Sequence, residues 1–162
     1  MLVGLVSDTH DRVDFLSTAI RLLREAGAEY FLHCGDLGSR RALEPFNGLA
    51  AGFVWGDQDR DRMGMLRYAD SLQVQCFGIL GDFELEDKHI AIVHGDDKKV
   101  VKRLLKEQQH DIILFGHEGA FSSEQHGKTL LICPGAVHGG SERTVALLDT
   151  ATGKVQVIRL AD

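Results

Sequence analysis

Acidic and imidazole side chains directly follow several short apolar stretches of this chain. The first case is VGLVSDTH, in which an apolar run ends at Asp8 and His10. Short branched runs are typical of strands buried on both faces, and open α/β sheets bind ligands just past the carboxyl ends of such strands. Asp8 and His10 are therefore candidates for chemistry, although an Asp that forms a turn after a strand is also common.

Four further apolar runs end in the same way, each with a glycine beside an acidic or imidazole residue: Gly35-Asp36, Gly56-Asp57, His94-Gly95 and Gly116-His117. One such pair is most often a turn or a hydrogen-bonded histidine. Five equivalent strand ends, however, indicate that these side chains meet at one edge of the fold, which we call the rim. Carboxylates and imidazoles together favour Mn, Fe, Zn or Ni over calcium. The set is large enough for two ions, an arrangement that suits in-line attack on phosphorus by a metal-bridging hydroxide.

The elements that position these residues begin in β-α-β-α-β order, which implies parallel strands joined by right-handed crossovers. The predicted elements of this part are strands over 3–6, 30–34 and 51–55, a helix over 11–25 capped by Asp11, and a short helix over 40–46. Later strands are predicted over 74–78, 82–85, 90–93, 111–115, 121–125, 129–133, 144–148 and 155–160, with a helix over 98–109. This mixture predicts an α/β protein with two packed sheets flanked by helices. No linker divides the chain, so we expect a single domain over residues 1–162.

Charge and cysteine content exclude several functional classes. The formal net charge is −6, which argues against non-specific nucleic-acid binding, since such binding needs clustered Lys and Arg. No segment reaches the length of a membrane span, and the opening MLVGLVSD lacks the basic start of a secretory signal. Cys34, Cys76 and Cys133 show no C-x-x-C spacing and are typical of thiols in a reducing compartment. We therefore expect a cytoplasmic protein without membrane contact.

The ordered motifs resemble those of calcineurin-like metallophosphoesterases, in particular the small YfcE-type phosphodiesterases. That pattern is D-x-H, G-D, G-N, H-G and G-H-x-H, and it matches this chain from Asp8 to His117. The later CPGA at 133–136 resembles the N-P-G-S turn of the same branch. The resemblance implies a four-layer αββα sandwich of two mixed sheets flanked by helices. It also implies a metal-dependent phosphodiesterase or phosphatase that acts on phosphate esters.

The resemblance also implies a role for each matching residue. In the family's order, the matches are two ligands of the first metal, one bridging carboxylate and three ligands of the second metal: Asp8, His10, Asp36, Asp57, His94 and His117. The bridging carboxylate, Asp36, is a catalytic candidate. The implied cofactors are two divalent ions (Mn, Ni, Fe, Zn or Mg), with manganese a leading candidate.

Several departures from the family pattern bear on activity. The asparagine of G-N is Asp57, an added charge that should hold cations more tightly and make them less electrophilic. The last histidine of G-H-x-H is Gly119, so the first metal loses a ligand and its site is expected to be weak or empty. Larger members have a proton-donating histidine where Gln58 stands. Asp59 matches the acid that ends G-N-x-D and is a second catalytic candidate, as a supporting residue or a general acid.

Two side chains are candidates for phosphate contact, Arg12 at the start of the first helix and Lys98, although both also fit as plain surface charges. Two functional hypotheses follow. The first is a metal-dependent phosphodiesterase; the second is a weakly active or inactive interaction module, for which the metallophosphoesterase-fold subunit of the retromer coat is a precedent. The loss at Gly119 favours the module, whereas the retained ligands favour the enzyme. The physiological substrate, the metal and a homo-oligomeric state stay open.

Overall fold

Six strands form one mixed sheet, which we call sheet A, in a computed structural model that describes residues 1–161. They are β1 (Leu2–Val6), β2 (Tyr30–His33), β3 (Ala51–Phe53), β4 (Gln75–Cys76), β10 (Thr144–Asp149) and β11 (Val155–Arg159). Their order is β11-β10-β1-β2-β3-β4. The strands β1 to β4 run parallel, whereas β10 is antiparallel to both β1 and β11. The parallel strands therefore bring their carboxyl ends to one edge of sheet A.

The middle of the chain forms sheet B. Its strands are β5 (Leu80–Leu85), β6 (Lys88–Val93), β7 (Ile112–Leu114), β8 (Phe121–His126) and β9 (Thr129–Pro134). Their order is β5-β6-β7-β9-β8, with β6, β7 and β9 parallel and the two outer strands antiparallel to their neighbours. The predicted mixture of parallel and antiparallel pairing is confirmed.

The helices are α1 (Val13–Glu25), a 3₁₀ helix (Arg40–Phe46), α2 (Arg62–Leu72) and α3 (Lys98–Glu107). The prediction that Asp11 caps α1 is wrong: Arg12 is the N-cap and makes no capping hydrogen bond through its side chain. Asp11 instead accepts a hydrogen bond from Ser39 Oγ, 2.6 Å away, and so ties the start of α1 to the loop after β2. The helix α2 lies in a stretch for which the sequence analysis predicted no element.

Three apolar clusters separate four layers. The first packs α1, α2 and the 3₁₀ helix on sheet A, through Leu16, Met65 and Phe46 among others. The second lies between the two sheets, where Leu5 and Ile92 are both fully buried. The third packs α3 on the outer face of sheet B. The αββα sandwich of two mixed sheets flanked by helices is therefore confirmed.

The helices of the described residues were compared with the length and hydropathy of membrane-spanning helices. Within residues 1–161, none of the helices combines the length and the apolar character needed to cross a bilayer.

Candidate metal centre

The candidate residues converge on one rim because they follow parallel strands of both sheets. Asp8 and Asp36 come just after β1 and β2 of sheet A, while His94 and His117 follow β6 and β7 of sheet B. The two sheets pack face to face, so their carboxyl-end loops meet. The rim is built from residues that lie far apart in the chain.

Four of these residues form one group of possible ligands, Asp36, Asp57, His94 and His117. One ligand atom from each lies within 4.8 Å of all the others. His94 Nε2 lies at the middle, 3.1 Å from Asp36 Oδ2 and 3.1 Å from Asp57 Oδ1. His117 Nδ1 is 3.3 Å from His94 Nε2 and 3.7 Å from Asp57 Oδ1. Two carboxylates and two imidazoles thus face a common point.

A second group contains Asp8, His10 and Asp36, again with ligand atoms within 4.8 Å of one another. His10 Nε2 is 3.6 Å from Asp8 Oδ1 and 3.5 Å from Asp36 Oδ2. The same Asp36 oxygen therefore faces a histidine of each group. A carboxylate shared between two adjacent groups is the arrangement that a two-metal centre requires.

The buried carboxylates each use one oxygen for hydrogen bonds with the protein and leave the other for the centre. Asp8 Oδ2 accepts from Ser7 Oγ at 2.6 Å and from the His117 backbone N–H at 3.0 Å. Asp36 Oδ1 accepts from the Gln58 N–H at 2.8 Å. These bonds fix the orientation of Asp8 Oδ1 and Asp36 Oδ2 toward the histidines.

The orientation of His94 is set in the same way. Its Nδ1 lies 2.8 Å from the Cys34 carbonyl oxygen, which can only accept, so Nδ1 carries a proton whether or not Nε2 does. Nε2 is left to face the carboxylates. Histidines that bind metals commonly have this outer hydrogen bond, because it fixes the tautomer and the ring plane.

The charges of the rim are strongly coupled. Burial lowers the pKa of His94, but the hydrogen bond to Asp36 and the Cys34 carbonyl outweigh it and raise the pKa to about 9. Burial raises the pKa of Asp8, but hydrogen bonds from His10 and Ser7 outweigh it, so the pKa lies below its usual value. The pKa of Asp36 is lowered as well, by His94 and the Gln58 N–H against the effect of burial. Ionised carboxylates around imidazoles make a donor set that fits divalent cations.

The loops that carry these groups have unusual backbone conformations. Positive φ angles occur at Asp8 (53°), His10 (46°), Asp36 (60°) and His117 (70°). Such angles are costly for residues other than glycine and occur mainly where the surrounding structure enforces them. Here the Asp8 N–H donates to the Gly35 carbonyl and the His10 N–H donates to the Asp36 carbonyl, both at 3.0 Å. Within residues 1–161, four of the eight non-glycine residues with positive φ are therefore candidate ligands.

Two glycines are needed because the loops approach one another closely. A Cβ at Gly56 would overlap Asp36 Oδ1, and a Cβ at Gly116 would overlap Ser7 Oγ. Both contacts are with groups that orient candidate ligands. The glycines next to the motif residues therefore allow the packing of the rim.

Asp59 lies behind the rim and is only 2 % exposed. Its carboxylate accepts three backbone hydrogen bonds at 2.9 Å, from the N–H groups of Asp36, Gly38 and Gly56. Burial raises its pKa, and these N–H groups only partly offset that effect. With both oxygens occupied, Asp59 joins the loops after β2 and β3 and holds Asp36 in place.

The side chains of Arg12 and Lys98 contact groups other than the candidate ligands. The Arg12 guanidinium lies 3.4 Å from Asp14 Oδ2 and stacks 4.4 Å from the Phe15 ring centre. Lys98 Nζ is exposed and 3.8 Å from Glu118 Oε1. Neither contact places the positive charge of Arg12 or Lys98 beside the candidate ligands.

His138 joins the rim although it belongs to none of the motifs. Its ring centre is 4.1 Å from that of His10, and its backbone N–H and Nδ1 both lie within 2.9 Å of the Asp8 carbonyl oxygen. No motif marks His138 in the sequence, because its placement depends on how the connection between β9 and β10 returns to the rim.

The fold and the rim agree with the family to which the sequence matches. The calcineurin-like phosphoesterase superfamily domain matches residues 1–153. The chain therefore belongs to the calcineurin-like phosphoesterase superfamily, a metal-dependent family of hydrolases. The resemblance inferred from the motifs is confirmed, and the relatives are consistent with the small YfcE-type branch.

Named relatives cover nearly the whole chain. A protein of Methanocaldococcus jannaschii, phosphodiesterase MJ0936, is 28 % identical over 157 residues, which is 93 % of each chain. The solved structure of a novel archaeal phosphodiesterase is 26 % identical, has a TM-score of 0.92, and is aligned over 99 % of this chain and all of its own. YfcE, a phosphoesterase from E. coli, shares the fold with a TM-score of 0.69 at 18 % identity, over 99 % of this chain and all of YfcE.

Proposed function

We propose that this protein is a phosphodiesterase that uses two divalent cations, with manganese the leading candidate. The observation that carries the proposal is that Asp36 Oδ2 faces His94 of one ligand group and His10 of the other, at 3.1 and 3.5 Å. The sequence relative and the solved structure that are more than 25 % identical over nearly the whole chain both carry the name phosphodiesterase, which supports diesters over monoesters.

In this proposal Asp36 would contribute a ligand to both sites, Asp8 and His10 would hold the first ion, and Asp57, His94 and His117 would hold the second. Divalent cations held there would supply activation of water for in-line attack on phosphorus and neutralisation of charge on the phosphoryl oxygens.

The protein's own contribution is to position these groups. Gln58 and Cys34 orient Asp36 and His94 through hydrogen bonds of 2.8 Å. Asp59 is a positioning residue that holds the Asp36 loop, since its oxygens are occupied by backbone N–H groups. We assign Arg12 and Lys98 to phosphate binding. In this role, Arg12 leaves Asp14 and Lys98 leaves Glu118 when the substrate binds.

The test is hydrolysis of a chromogenic phosphodiester by metal-loaded protein. Asp36→Asn removes the shared charge with almost no change of shape, and we expect at least about a hundredfold lower kcat/KM with Mn²⁺. Asp70→Asn is a matched control, because Asp70 is an exposed carboxylate on α2 outside the set of candidate residues. Equal activity of wild type and Asp36→Asn would refute the proposal.

The rival function is an interaction module with weak or no activity, and the observation that favours it is glycine at position 119. The module and the enzyme are distinguished by the hydrolysis test, in which the module binds metal but turns over no substrate. A protein that binds Mn²⁺ but hydrolyses neither diesters nor monoesters would support the module.

We further propose that residues 1–162 form a single domain. The support is that β10 and β11, from the end of the chain, complete sheet A next to β1 from its start.

A further inference from the structure

A second cluster of possible metal ligands lies outside the rim. It consists of Asp82 on β5, His89 on β6 and His110 just before β7, with one ligand atom from each within 4.8 Å of the others. Asp82 Oδ1 is 2.5 Å from His89 Nε2, and Asp82 Oδ2 is 3.2 Å from His110 Nε2. The two imidazole ring centres are 4.4 Å apart.

The backbone holds both histidines rigidly. The His89 N–H donates to Asp111 Oδ2 and its carbonyl accepts from the Asp111 N–H, both at 2.9 Å. The His110 carbonyl accepts from Thr129 Oγ1 at 2.7 Å. Rigidly held ligands lose little conformational entropy on binding, which favours a metal site.

His89 has an acceptor at each ring nitrogen. Nδ1 lies 3.0 Å from the Gln109 carbonyl oxygen, and Nε2 faces the Asp82 carboxylate. A neutral imidazole has a single N–H and cannot donate at both nitrogens, so a further proton shared with Asp82 balances this contact in the metal-free protein, and a metal ion would take that proton's place.

The cluster is independent of the rim. His89 lies near the start of β6 and His94 directly after its end, so their Cα atoms are about 16 Å apart at the usual rise of a strand. The two sets share no residue. Metal binding at one set therefore does not depend on metal binding at the other.

We infer that Asp82, His89 and His110 bind a transition-metal ion such as Zn²⁺, Ni²⁺ or Cu²⁺. Two imidazoles and one carboxylate suit these ions better than Mg²⁺ or Ca²⁺. The side chains of Asp82 and His89 are 50 % and 37 % exposed, so the ion can enter and water can complete its coordination. Bound there, it joins the edge strand β5 to β6 and to the segment before β7.

The structure also sets the expected strength of binding. Among the described residues, His110 Nδ1 is buried with no hydrogen-bond partner. A metal on His110 Nε2 places the proton on this nitrogen, without the outer acceptor that His89 has in Gln109. Loss of such a partner typically weakens metal binding about 10–100-fold. The site should therefore be weaker than a zinc site with complete outer hydrogen bonds.

The test is calorimetric titration of Zn²⁺ into metal-free protein carrying Asp36→Asn and His94→Gln, which disables the rim. We expect about one Zn²⁺ to bind, and adding His89→Ala to abolish that binding. His126→Ala is the matched control, because His126 is also a partly exposed histidine of sheet B with a carboxylate partner, Glu124, 3.1 Å away. The control should bind zinc unchanged.

Two results would overturn the inference: no zinc binding up to about 1 mM, or the same binding with and without His89. The first result means that a proton alone balances Asp82. If the rim variants fail to fold by circular dichroism, the same titration is run on wild type, where His89→Ala must lower the bound zinc by one equivalent. Hydrolysis with Mn²⁺ should be unchanged in His89→Ala, which separates this site from the proposed activity.

Discussion

Asp36 and His94 follow strands of different sheets, yet Asp36 Oδ2 lies 3.1 Å from His94 Nε2. In the metal-free protein this contact is an ion pair, because Asp36 holds the imidazole in its protonated form. A metal ion takes the same imidazole only when it is neutral. The geometry that gathers ligands therefore also makes cation binding compete with a proton.

Cation binding should accordingly release a proton from His94. The pKa of His94 in the metal-free protein is about 9, so below that pH the proton must leave, and Mn²⁺ affinity should fall about tenfold for each pH unit of acidification. Calorimetric titrations between about pH 6 and 8, in buffers with different ionisation enthalpies, measure both the affinity and the proton count. An affinity independent of pH would contradict this assignment of His94.

Asp57→Asn tests the additional carboxylate of the rim. The family has a neutral oxygen ligand at this position, and Asp57 Oδ1 lies 3.1 Å from His94 Nε2. Removing its charge should raise the Mn²⁺ concentration for half-maximal activity roughly tenfold, or ~1.4 kcal/mol, and should raise kcat because the ions become more electrophilic. The measurement is initial rate against Mn²⁺ concentration. A lower kcat with unchanged Mn²⁺ dependence would show that Asp57 is not a ligand.

Gly119→His tests the missing ligand of the first site. A Cβ at Gly119 meets no atom within 4 Å, so the side chain has room, but the φ of +75° strains any residue with a Cβ. We expect a destabilisation of about 1 kcal/mol together with higher metal occupancy near Asp8 and His10. Gly119→Ala has the same strain without a ligand and is the control. Equal metal stoichiometry in the two variants would place the gap elsewhere.

The strands that lead to the rim could be predicted because five apolar runs are each followed within a few residues by an acidic or imidazole side chain. The sequence missed α2, in which only Met65 and Ala69 are buried while Met63 is 68 % exposed, so the helical apolar pattern is weak. It could not place His138, whose position depends on a returning loop. The three backbone donors to Asp59 come from two loops, the one after β2 and the one after β3, which lie far apart in the chain. The cluster around His89 lies at no strand's carboxyl end.

Stability in acid should depend on His33, which is fully buried. His33 Nδ1 accepts from the Gly35 N–H at 3.1 Å, so its proton is on Nε2, 2.8 Å from Thr9 Oγ1. Burial lowers the pKa of His33 to about 3, whereas in an unfolded chain a histidine titrates near 6.5. Between about pH 6.5 and 3 the unfolded state therefore binds one proton that the native state does not. The free energy of unfolding therefore decreases as the pH is lowered through this window. Above about pH 6.5, the titration of His33 does not affect it.

His33→Gln separates this effect from the titration of carboxylates, because Gln retains a donor toward Thr9 but cannot bind a proton. We expect the variant to be less stable than wild type at neutral pH, since the Gly35 N–H loses its acceptor. Below about pH 6.5, however, its free energy of unfolding should decrease less steeply as the pH is lowered. The difference in slope between the two proteins should correspond to about one bound proton. Urea unfolding of the metal-free proteins at a series of pH values gives both slopes. If the two slopes coincide, His33 is not held neutral in the folded protein.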